Sequence, residues 1–240
     1  MNKFVFITPM RNAHATLEQM LLSVMAQSYQ DWRVILVDDA SDIFSQEKTK
    51  QIVTKCNAFL QKEKIILITR ESRSWETANV LCALNLCTEN EIACRLDADD
   101  WLTDNDVLSI IDNVYATQHC DALWTKHRWG FTTYNISDVL PEYTNPYLHA
   151  WVSSHLKTWR VALSQGVNDL NYRNANNEYV KRAGDQAIYL PVLYKAHRKL
   201  FLPLCAYHYT IDMRSETFTS DDAKFQKAEA EFLRARGYVK

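Results

Sequence analysis

The stretch IACRLDADDW, residues 92–101, decides the fold class, because it joins a short apolar run to a cluster of acidic side chains. Its first five residues are typical of a buried strand. The same order recurs at residues 34–39, which read VILVDD. Parallel sheets bind their ligands outside the carboxyl ends of the strands. Acidic residues that follow two such strands therefore predict a polar binding site at one edge of a parallel sheet.

Short apolar runs alternate with amphipathic segments through the first half of the chain. The apolar runs predict strands at residues 4–7, 34–37, 65–68 and 92–96. Helical periodicity predicts a helix begun by a capping box of Thr16 and Gln19, a helix capped by Thr103, and helices at residues 46–60, 76–86 and 223–236. In the last helix the buried stripe would contain Phe225, Ala228 and Phe232. This alternation predicts an α/β fold, with a Rossmann-like, mainly parallel sheet flanked by helices.

Length and composition indicate one large domain, residues 1–240. The chain has 240 residues, of which 47% are hydrophobic, and so it can bury a core without disulfides. The net charge of -2 excludes the global basic excess that attracts nucleic acid or anionic membranes. The six cysteines form no Cys-x-x-Cys pair, and the N-terminal apolar run is too short for a signal sequence or a spanning helix. We expect a cytoplasmic protein without a transmembrane segment, and local contact with a membrane surface stays open.

The acidic segment has the chemistry of a divalent-metal site. In an extended backbone Asp97 and Asp99 project to the same side, whereas Asp100 faces the other way. Two carboxylates at a strand end suit Mg²⁺ or Mn²⁺, with diphosphate oxygens and water completing the coordination. Capping of the next helix is the alternative, but it explains Asp97 poorly because Asp97 precedes the turn.

An ordered set of motifs identifies a resemblance to a known family. The segments FVFITPMRN at residues 4–12, VILVDDAS at 34–41 and LDADD at 96–100, together with the helix that leads into Ser28, resemble the family 2 inverting glycosyltransferases, which have the GT-A fold. The resemblance is strong over about the first half of the chain. It implies transfer of a sugar from a nucleotide-sugar, with a UDP-sugar favoured, to a glycan, lipid-linked or protein acceptor. Residues 1–102 would bind the nucleotide-sugar, and residues 103–240 would form a mixed half that binds the acceptor and supplies the catalytic base.

The resemblance also implies roles for single residues in the nucleotide-sugar site. The loop with Thr8, Pro9 and Arg11 would wrap the nucleoside, and Asp39, beside Asp38, would accept a hydrogen bond from the uracil ring. Asp97 would lie nearest the ribose, and Asp99 would ligate the metal with support from Asp100. Ala98 would belong to the residues that bind the nucleotide-sugar. A turn whose carboxylates cap backbone amides is the alternative for residues 38–41. The family often has a glycine-containing stretch where this chain has residues 70–79, which contain none, and Arg70 and Arg73 would there face either the diphosphate or solvent.

An inverting reaction needs a general base, and Asp185 matches the family position best. The preceding Gly184 permits an unusual backbone angle, and the apolar run that follows resembles the helix that carries the base in related enzymes. An ordinary N-cap is the alternative for Asp185. Glu178 and Asp169 are the fallback bases.

Two further sets of residues follow from resemblance in the second half. His208 is the nearest match to a histidine that adds a metal ligand in some relatives, with Asp212 as a second possibility, although a lone histidine between tyrosines is more often a packed residue. Trp159 and His155 lie in a segment that resembles the acceptor side of some members, and Trp124, Trp129 and Trp151 occur in the same irregular region. Large aromatic residues stack on sugars, but they fill cores more often.

Two other functions are open at this stage. A haloacid-dehalogenase-type phosphatase also has an aspartate after a strand, but it gives no role to the pairing of residues 8–9 with residues 38–39. A GT-A-like module that binds a nucleotide-sugar or a protein without turnover is the second. The retention of Asp97, Asp99 and Asp185 argues against that module, because mutual repulsion of carboxylates is unfavourable without a cation.

Overall fold

A computed structural model of the chain describes residues 2–132, 134–211 and 220–240. Within these ranges the chain forms eight strands and six α-helices. The strands are β1 (Lys3–Met10), β2 (Trp32–Asp38), β3 (Ile65–Thr69), β4 (Glu91–Arg95), β5 (Trp101–Leu102), β6 (Ala122–Trp129), β7 (Lys157–Arg160) and β8 (Lys199–Tyr209). The helices are α1 (His14–Met25), α2 (Ile43–Leu60), α3 (Trp75–Leu84), α4 (Val107–Gln118), α5 (Gly184–Lys195) and α6 (Ser220–Arg236).

All eight strands join one mixed sheet, in the order β3-β2-β1-β4-β7-β6-β8-β5. Strands β3, β2, β1 and β4 are parallel neighbours, whereas β7 runs antiparallel to both β4 and β6, and β5 runs antiparallel to β8. The predicted α/β class is confirmed, with a parallel first half and a mixed second half. The parallel register pairs Met10 with Asp38 and Ile7 with Arg95. This register brings the ends of β1, β2 and β4, and the acidic residues that follow them, to one edge.

Both faces of the sheet are covered by apolar side chains. Along β1, Phe4 and Phe6 pack with residues of α1, α2 and α4, whereas Val5 and Ile7 pack with residues of α3 and α5. The alternation follows from the period of two in a strand. Each fully buried side chain of this size contributes roughly 1.5–3 kcal/mol to folding. Packing on both faces therefore stabilises the sheet and holds the residues at its edge in position.

Two predicted helix starts are wrong. Helix α1 begins at His14, and the Thr16 hydroxyl donates to the Ala13 carbonyl instead of forming a capping box. Helix α4 begins after Asp106, and the Thr103 hydroxyl donates to the Cys205 carbonyl at 2.6 Å. In both cases the hydroxyl donates to a carbonyl and does not cap a helix N–H group. The Ala13 carbonyl is three residues from Thr16, whereas the Cys205 carbonyl is 102 residues from Thr103 and could not be predicted from local spacing.

The predicted stripe of α6 is also wrong, because Phe225 and Ala228 are exposed and the buried face carries Glu229 and Leu233. The Glu229 carboxylate accepts backbone hydrogen bonds from residues 181–183, at 2.7–3.3 Å. A buried carboxylate is stable only when such donors compensate its desolvation. Helix α6 thereby fixes the loop that leads into α5.

No described helix has both the length and the apolar character to cross a membrane.

Candidate active site

A cleft of about 620 Å³ lies at the carboxyl ends of β1, β2 and β4. The first half of the chain lines it with residues that follow these strands, among them Pro9, Arg11, Asp39, Asp97 and Asp99. The second half contributes Lys181 and Arg182 before α5, and Asp222 and Gln226 of α6. Residues from both halves of the chain therefore line the cleft.

Three predicted nucleotide-binding residues are buried beneath the cleft. Thr8 is fully buried, and its hydroxyl donates to the Leu96 carbonyl at 2.7 Å. Asp38 is fully buried and accepts from the Ser41 amide at 3.0 Å, as in an Asx turn. Ala98 is buried as well. The structure corrects the expectation for these side chains, because they support the cleft from below instead of lining it.

Asp39 lines the cleft and also holds the start of α3. Its two carboxylate oxygens accept from the amides of Ser74, at 2.6 Å, and Trp75, at 3.0 Å. The alternative of amide capping therefore describes part of its role. Each carboxylate oxygen has a second lone pair, so Asp39 can still accept a hydrogen bond from a ligand. Trp75 has a φ of 66°, a left-handed conformation that costs energy for a bulky residue, and the capping by Asp39 compensates it.

The loop without glycine places one of its two arginines in the cleft. The Arg73 guanidinium lies 3.5 Å from the centroid of the Trp75 ring, and both residues line the cleft. Arg70 instead donates to the Ser74 hydroxyl at 3.2 Å. Arg182 reaches the same Trp75 ring, at 4.8 Å, and pairs with Asp222 at 2.9 Å. This wall combines an aromatic face with cations, which suits an anionic ligand.

Asp97 is held at the floor of the cleft by an arginine and a tyrosine. The Arg95 guanidinium lies 2.7 Å from one carboxylate oxygen, and the Tyr207 hydroxyl lies 3.1 Å from the other. Burial opposes ionisation of Asp97, but the charge of Arg95, with that of Lys157, outweighs it and holds the pKa of this carboxyl below its usual range. Asp97 is therefore a fixed anion at neutral pH.

Asp100 supports this arrangement from inside the protein. Its carboxyl group accepts from the Tyr207 hydroxyl at 2.6 Å and from the Thr210 amide at 2.7 Å. Burial, together with the charges of Asp97 and Asp99, raises the pKa of Asp100 to about 8. Asp100 is thus largely uncharged at neutral pH, which lowers the repulsion within the acidic segment.

Asp99 is the exposed carboxylate of the segment, and its side chain faces the cleft. Across the described ranges, no group of three or more histidine, cysteine, aspartate or glutamate residues could hold a metal ion. A carboxylate that faces an open cleft nevertheless suits a hard cation that completes its coordination with diphosphate oxygens and water. The donor set therefore fits Mg²⁺ or Mn²⁺ at Asp99, with Asp97 engaged mainly by Arg95.

His208 has a packing role in this structure. Its ring stacks on Trp101, with centroids 4.1 Å apart and planes 12° from parallel. Successive side chains of a strand point to opposite faces, and so His208 lies on the other face of β8 from Tyr207, which contacts Asp97. The structure does not bring His208 into a metal-ligand group, and Asp212 lies outside the described residues.

Asp185 lies in the first turn of α5, where the helix dipole favours a carboxylate. The Lys157 ammonium is 2.9 Å from the carboxylate, and the His155 ring is 3.7 Å away. Burial raises the pKa of Asp185, but the charges of Lys157 and Arg95 outweigh it, so that the pKa lies below the usual range. Asp185 does not itself line the cleft, but it lies around a small neighbouring cavity that shares Glu76 and Arg95 with the cleft. The fallback residues line neither space, because Glu178 pairs with Lys181 and Asp169 pairs with Arg173 elsewhere.

A chain of contacts joins Asp97 to the turn that carries Asp185. Arg95 pairs with Glu76 at 2.9 Å as well as with Asp97. Glu76 packs so closely on Gly184 that a Cβ atom at residue 184 would overlap its carboxylate. Burial and the charges of Asp185 and Asp97, against the opposing effect of Arg95, raise the pKa of Glu76 to about 7. A side chain at residue 184 would therefore displace the Glu76 carboxylate, and the φ of Gly184 lies outside the left-handed region, so this close approach and not an unusual backbone angle is the feature of Gly184.

Sequence reasoning missed Glu76, Arg95, Lys157 and Tyr207 as members of this site. The period of two along a strand offered one signal, because Arg95 precedes Asp97 by two residues and Lys157 follows His155 by two. Tyr207 gave no signal, since it meets Asp97 only through the fold.

The predicted acceptor-side aromatics divide into two groups. Trp159 is fully buried, packs against Tyr189 with ring centroids 5.7 Å apart, and donates its indole N–H to Ser164. The expectation that Trp159 contacts an acceptor is therefore corrected, because it is a core residue. His155 stacks on Tyr207 at 4.6 Å beside Asp185. Burial and Lys157 lower the pKa of His155 to about 3, so its ring is neutral and helps to position its neighbours.

Comparison with known proteins gives one family match and many structural matches. The profile of Glycosyl transferase family 2 matches residues 5–165, more than half of the chain. No curated protein matches the sequence. Crystal structures of TarS from S. aureus are similar to this chain, one with a TM-score of 0.67 and 22% identity over 87% of this chain and 37% of TarS.

Two ligand complexes are also similar to this chain. TarS 1–349 in complex with UDP has a TM-score of 0.65 and 21% identity, over 88% of this chain and 61% of that one. The mannosyltransferase PcManGT from Pyrobaculum calidifontis, in complex with GDP-Man and Mn²⁺, has a TM-score of 0.61 and 14% identity, over 89% and 58% of the two chains. The chain thus spans less than two thirds of each of these structures. At such identities the likeness is one of fold.

Proposed function

The chain belongs to glycosyl transferase family 2 and has the GT-A fold, and from this premise we propose that it is an inverting, metal-dependent glycosyltransferase. It moves a sugar from a UDP-sugar to a hydroxyl group of a glycan, lipid-linked or protein acceptor. One observation carries the proposal. Asp39, Asp97 and Asp99 line the same cleft, and Arg95 and Glu76 connect Asp97 to the turn that carries Asp185. The fold and family leave the phosphatase alternative without support.

The nucleotide half of the cleft supplies the groups that a UDP-sugar needs. Asp39 accepts from the uracil imide N–H, and Asp97, held by Arg95, lies near the ribose. Trp75 and Arg73 give an aromatic face and a cation on the same wall. The UDP and UDP-GlcNAc complexes of TarS support this choice of donor. A divalent cation at Asp99 would neutralise charge on the leaving diphosphate, and the crystallisation of the similar mannosyltransferase PcManGT with GDP-Man and Mn²⁺ supports such a cation.

Asp185 acts as the general base in this proposal. The acceptor oxygen attacks the anomeric carbon as the bond to the diphosphate breaks, and the hydroxyl proton passes to the Asp185 carboxylate. The Lys157 ammonium, 2.9 Å from the carboxylate, keeps it ionised, and the neutral His155 ring approaches the same carboxylate oxygen. The base is therefore unprotonated over the whole physiological pH range, ready to accept the proton that the attacking hydroxyl loses late in the reaction.

The proposal includes one domain over residues 1–240 and a cytoplasmic location. All six cysteines are free thiols, which is typical of proteins in a reducing compartment.

Binding and turnover test the function separately. With Mn²⁺ present, UDP at a hundred times its Kd should stabilise the protein by about 2.7 kcal/mol and raise the Tm by roughly 5–10 °C. Release of UDP from a UDP-sugar should follow when an acceptor is supplied. Absence of any nucleotide-induced shift would contradict the proposal. A shift without UDP release from any donor and acceptor pair would instead favour the non-catalytic module.

A Lys157→Met variant is expected to move the acid limb of the pH–rate profile upward. Lys157 is 2% exposed and lowers the pKa of Asp185, so its removal lets burial raise that pKa, by up to about 3–5 units for a fully buried carboxyl group. As the pH falls towards 5, Asp185 then takes up a proton that it excludes in the parent. Activity at pH 5–6, relative to pH 8, should fall in the variant, as measured by UDP release.

Lys195→Met is the matched control, since Lys195 lies at the opposite end of α5 and donates to the Gln165 carbonyl. It should keep the pH profile of the parent. Circular dichroism at each pH separates this effect from unfolding, because an unpaired carboxylate left by Lys157→Met is itself destabilising. An unchanged profile in folded Lys157→Met would contradict the role of Lys157.

A further inference from the structure

Helix α6 presents one stripe of side chains to the segment that carries Asp185. The stripe consists of Asp222, Gln226, Glu229 and Leu233, which recur at the spacing of a single helix face. Each of them bonds to or packs on residues 180–187, which contain the loop before α5 and the first turn of that helix. The family profile matches residues 5–165, so this contact lies in a part of the chain that the family match does not cover.

Glu229 holds the loop by its backbone. Its carboxylate accepts from the amides of Lys181 at 3.1 Å, Arg182 at 2.7 Å and Ala183 at 3.3 Å. Successive amides that point at one anion form a nest. Ala183 is the N-cap residue of α5, and no side chain caps the helix there. The Glu229 carboxylate, which is buried, therefore fixes the path by which the backbone enters α5.

The amides that Glu229 binds are close to Asp185 along the chain. Asp185 follows Ala183 by two residues, and the residue between them is Gly184, which restrains the backbone least. The Lys157 ammonium, 2.9 Å from the Asp185 carboxylate, holds the end of that side chain. Glu229 holds the backbone from which the same side chain projects. The position of the carboxylate therefore depends on both contacts.

The wall of the cleft depends less on Glu229 than the turn does. The Arg182 guanidinium lies 4.8 Å from the centroid of the Trp75 ring and pairs with Asp222 at 2.9 Å. The Arg182 carbonyl also accepts from Gln226 at 3.3 Å. A change at Glu229 leaves the groups that make these contacts in place. It should therefore affect the turn with Asp185 more than the binding of a nucleotide.

We propose that Glu229 is a positioning residue, which holds the turn with Asp185 in the orientation that sugar transfer requires. The inference rests on the proposed function, in which Asp185 takes the proton of the acceptor hydroxyl. Glu229 does not line the cleft, and it acts through the amides of residues 181–183. Displacement of a reacting group by about 1 Å can lower a rate by about 10²-fold. Helix α6 thereby contributes to turnover from outside the reacting groups.

A Glu229→Gln variant tests this role. Glutamine has nearly the same shape, but it has one acceptor oxygen, and its NH₂ group would meet a backbone N–H group. We expect kcat to fall by about 10–100-fold, while UDP binds within about threefold of the parent. Release of UDP measures the first quantity, and calorimetry measures the second. Parental kcat in folded Glu229→Gln would overturn the inference.

Glu231→Gln is the matched control on the same helix. Glu231 is exposed and lies 3.8 Å from Lys227, on a face of α6 away from the stripe. Its replacement should leave kcat within about twofold of the parent, as is usual for exposed positions. A loss of kcat equal to that of Glu229→Gln would overturn the inference, because a change anywhere on α6 would then have the same effect.

Combination with Asp185→Asn separates positioning of the base from a general loss of structure. If Glu229 acts through Asp185, its replacement has no further effect once the base is gone. The kcat of the double variant should therefore equal that of Asp185→Asn within about twofold. All rates are measured well below the Tm of each variant, with circular dichroism to verify folding. A loss in the double variant equal to the product of the two single losses would overturn the inference.

Glu229→Asp replaces Glu229→Gln if the glutamine variant does not fold. Aspartate keeps both acceptor oxygens, but it is one methylene shorter and cannot reach all three amides. Its kcat should fall by at least about threefold, again without further loss in the Asp185→Asn background. Parental turnover in Asp185→Asn would overturn both the proposed base and this inference. If Asp185→Asn loses turnover and the folded Glu229 variants do not, this inference alone is overturned.

Discussion

An Asp185→Asn variant should lose about 10²–10⁴-fold in kcat, the range that a positioned general base contributes. The amide has nearly the shape of the carboxylate but cannot accept the acceptor proton at neutral pH. Because Asp185 lies on α5 and not in the nucleotide wall, UDP should bind within twofold of the parent. UDP release under saturating donor and acceptor measures the first quantity, and calorimetry measures the second.

Asp169→Asn is the matched control for this loss. Asp169 is an exposed aspartate that pairs with Arg173 and accepts from Tyr179, outside the cleft. Its replacement should leave kcat unchanged within about twofold, as is usual for exposed positions away from a site. A folded Asp185→Asn protein with parental turnover would remove Asp185 from the mechanism. If the unmutated protein binds UDP but shows no turnover, the chain is a nucleotide-binding module without catalytic activity.

The strands and the acidic edge could be predicted because they depend on local patterns. Apolar runs at residues 34–37 and 92–96 correspond to the buried strands β2 and β4 within one or two residues at either end. A buried strand in a parallel sheet has apolar residues on both faces, so its signal is contained in five or six neighbours. The carboxylates that follow were placed at the sheet edge for the same reason.

The exposure of single side chains at that edge could not be predicted in the same way. Asp38 and Asp39 are adjacent in sequence, yet Asp38 is buried beneath the cleft, where it accepts from the Ser41 amide, whereas Asp39 lines the cleft. Which of the two faces the ligand depends on the loop before α3, whose amides Asp39 holds. That loop is 35 positions away along the chain. Local spacing contains no information on such a contact.

The electrostatic partners of the site are the least predictable part. Asp97 and Tyr207 are 110 residues apart, and they meet because β8 lies in the same sheet as β4 with two strands between them. Lys157 reaches Asp185 because β7 pairs with β4 in the reverse direction. These partners determine which aspartates are ionised, so the chemical state of the site follows from the topology.

An Asp99→Ala variant should lose the Mn²⁺-dependent part of UDP binding and about 10²–10³-fold in kcat, the loss typical when one group that stabilises transition-state charge is removed. Asp99 is exposed, so the Tm of the protein without ligand should not change. The stabilisation by UDP plus Mn²⁺ should fall to that by UDP alone. Asp104→Ala, an exposed aspartate five residues further along, is the control and should respond to Mn²⁺ as the parent does.

A comparison with Asp97→Asn separates the proposed metal binding by Asp99 from the structural pairing of Asp97 with Arg95. Arg95 is 4% exposed and pairs with Asp97 and Glu76, so Asp97→Asn removes one of its two counter-charges in the interior. That variant should lower the Tm without any ligand, because a buried cation that loses a partner keeps its desolvation cost. Asp99→Ala should instead lower the response to Mn²⁺ at constant Tm. If Asp99→Ala were stabilised by UDP and Mn²⁺ as strongly as the parent, the cation would not bind at Asp99, and the diphosphate charge would have to be met by the arginines of the cleft wall.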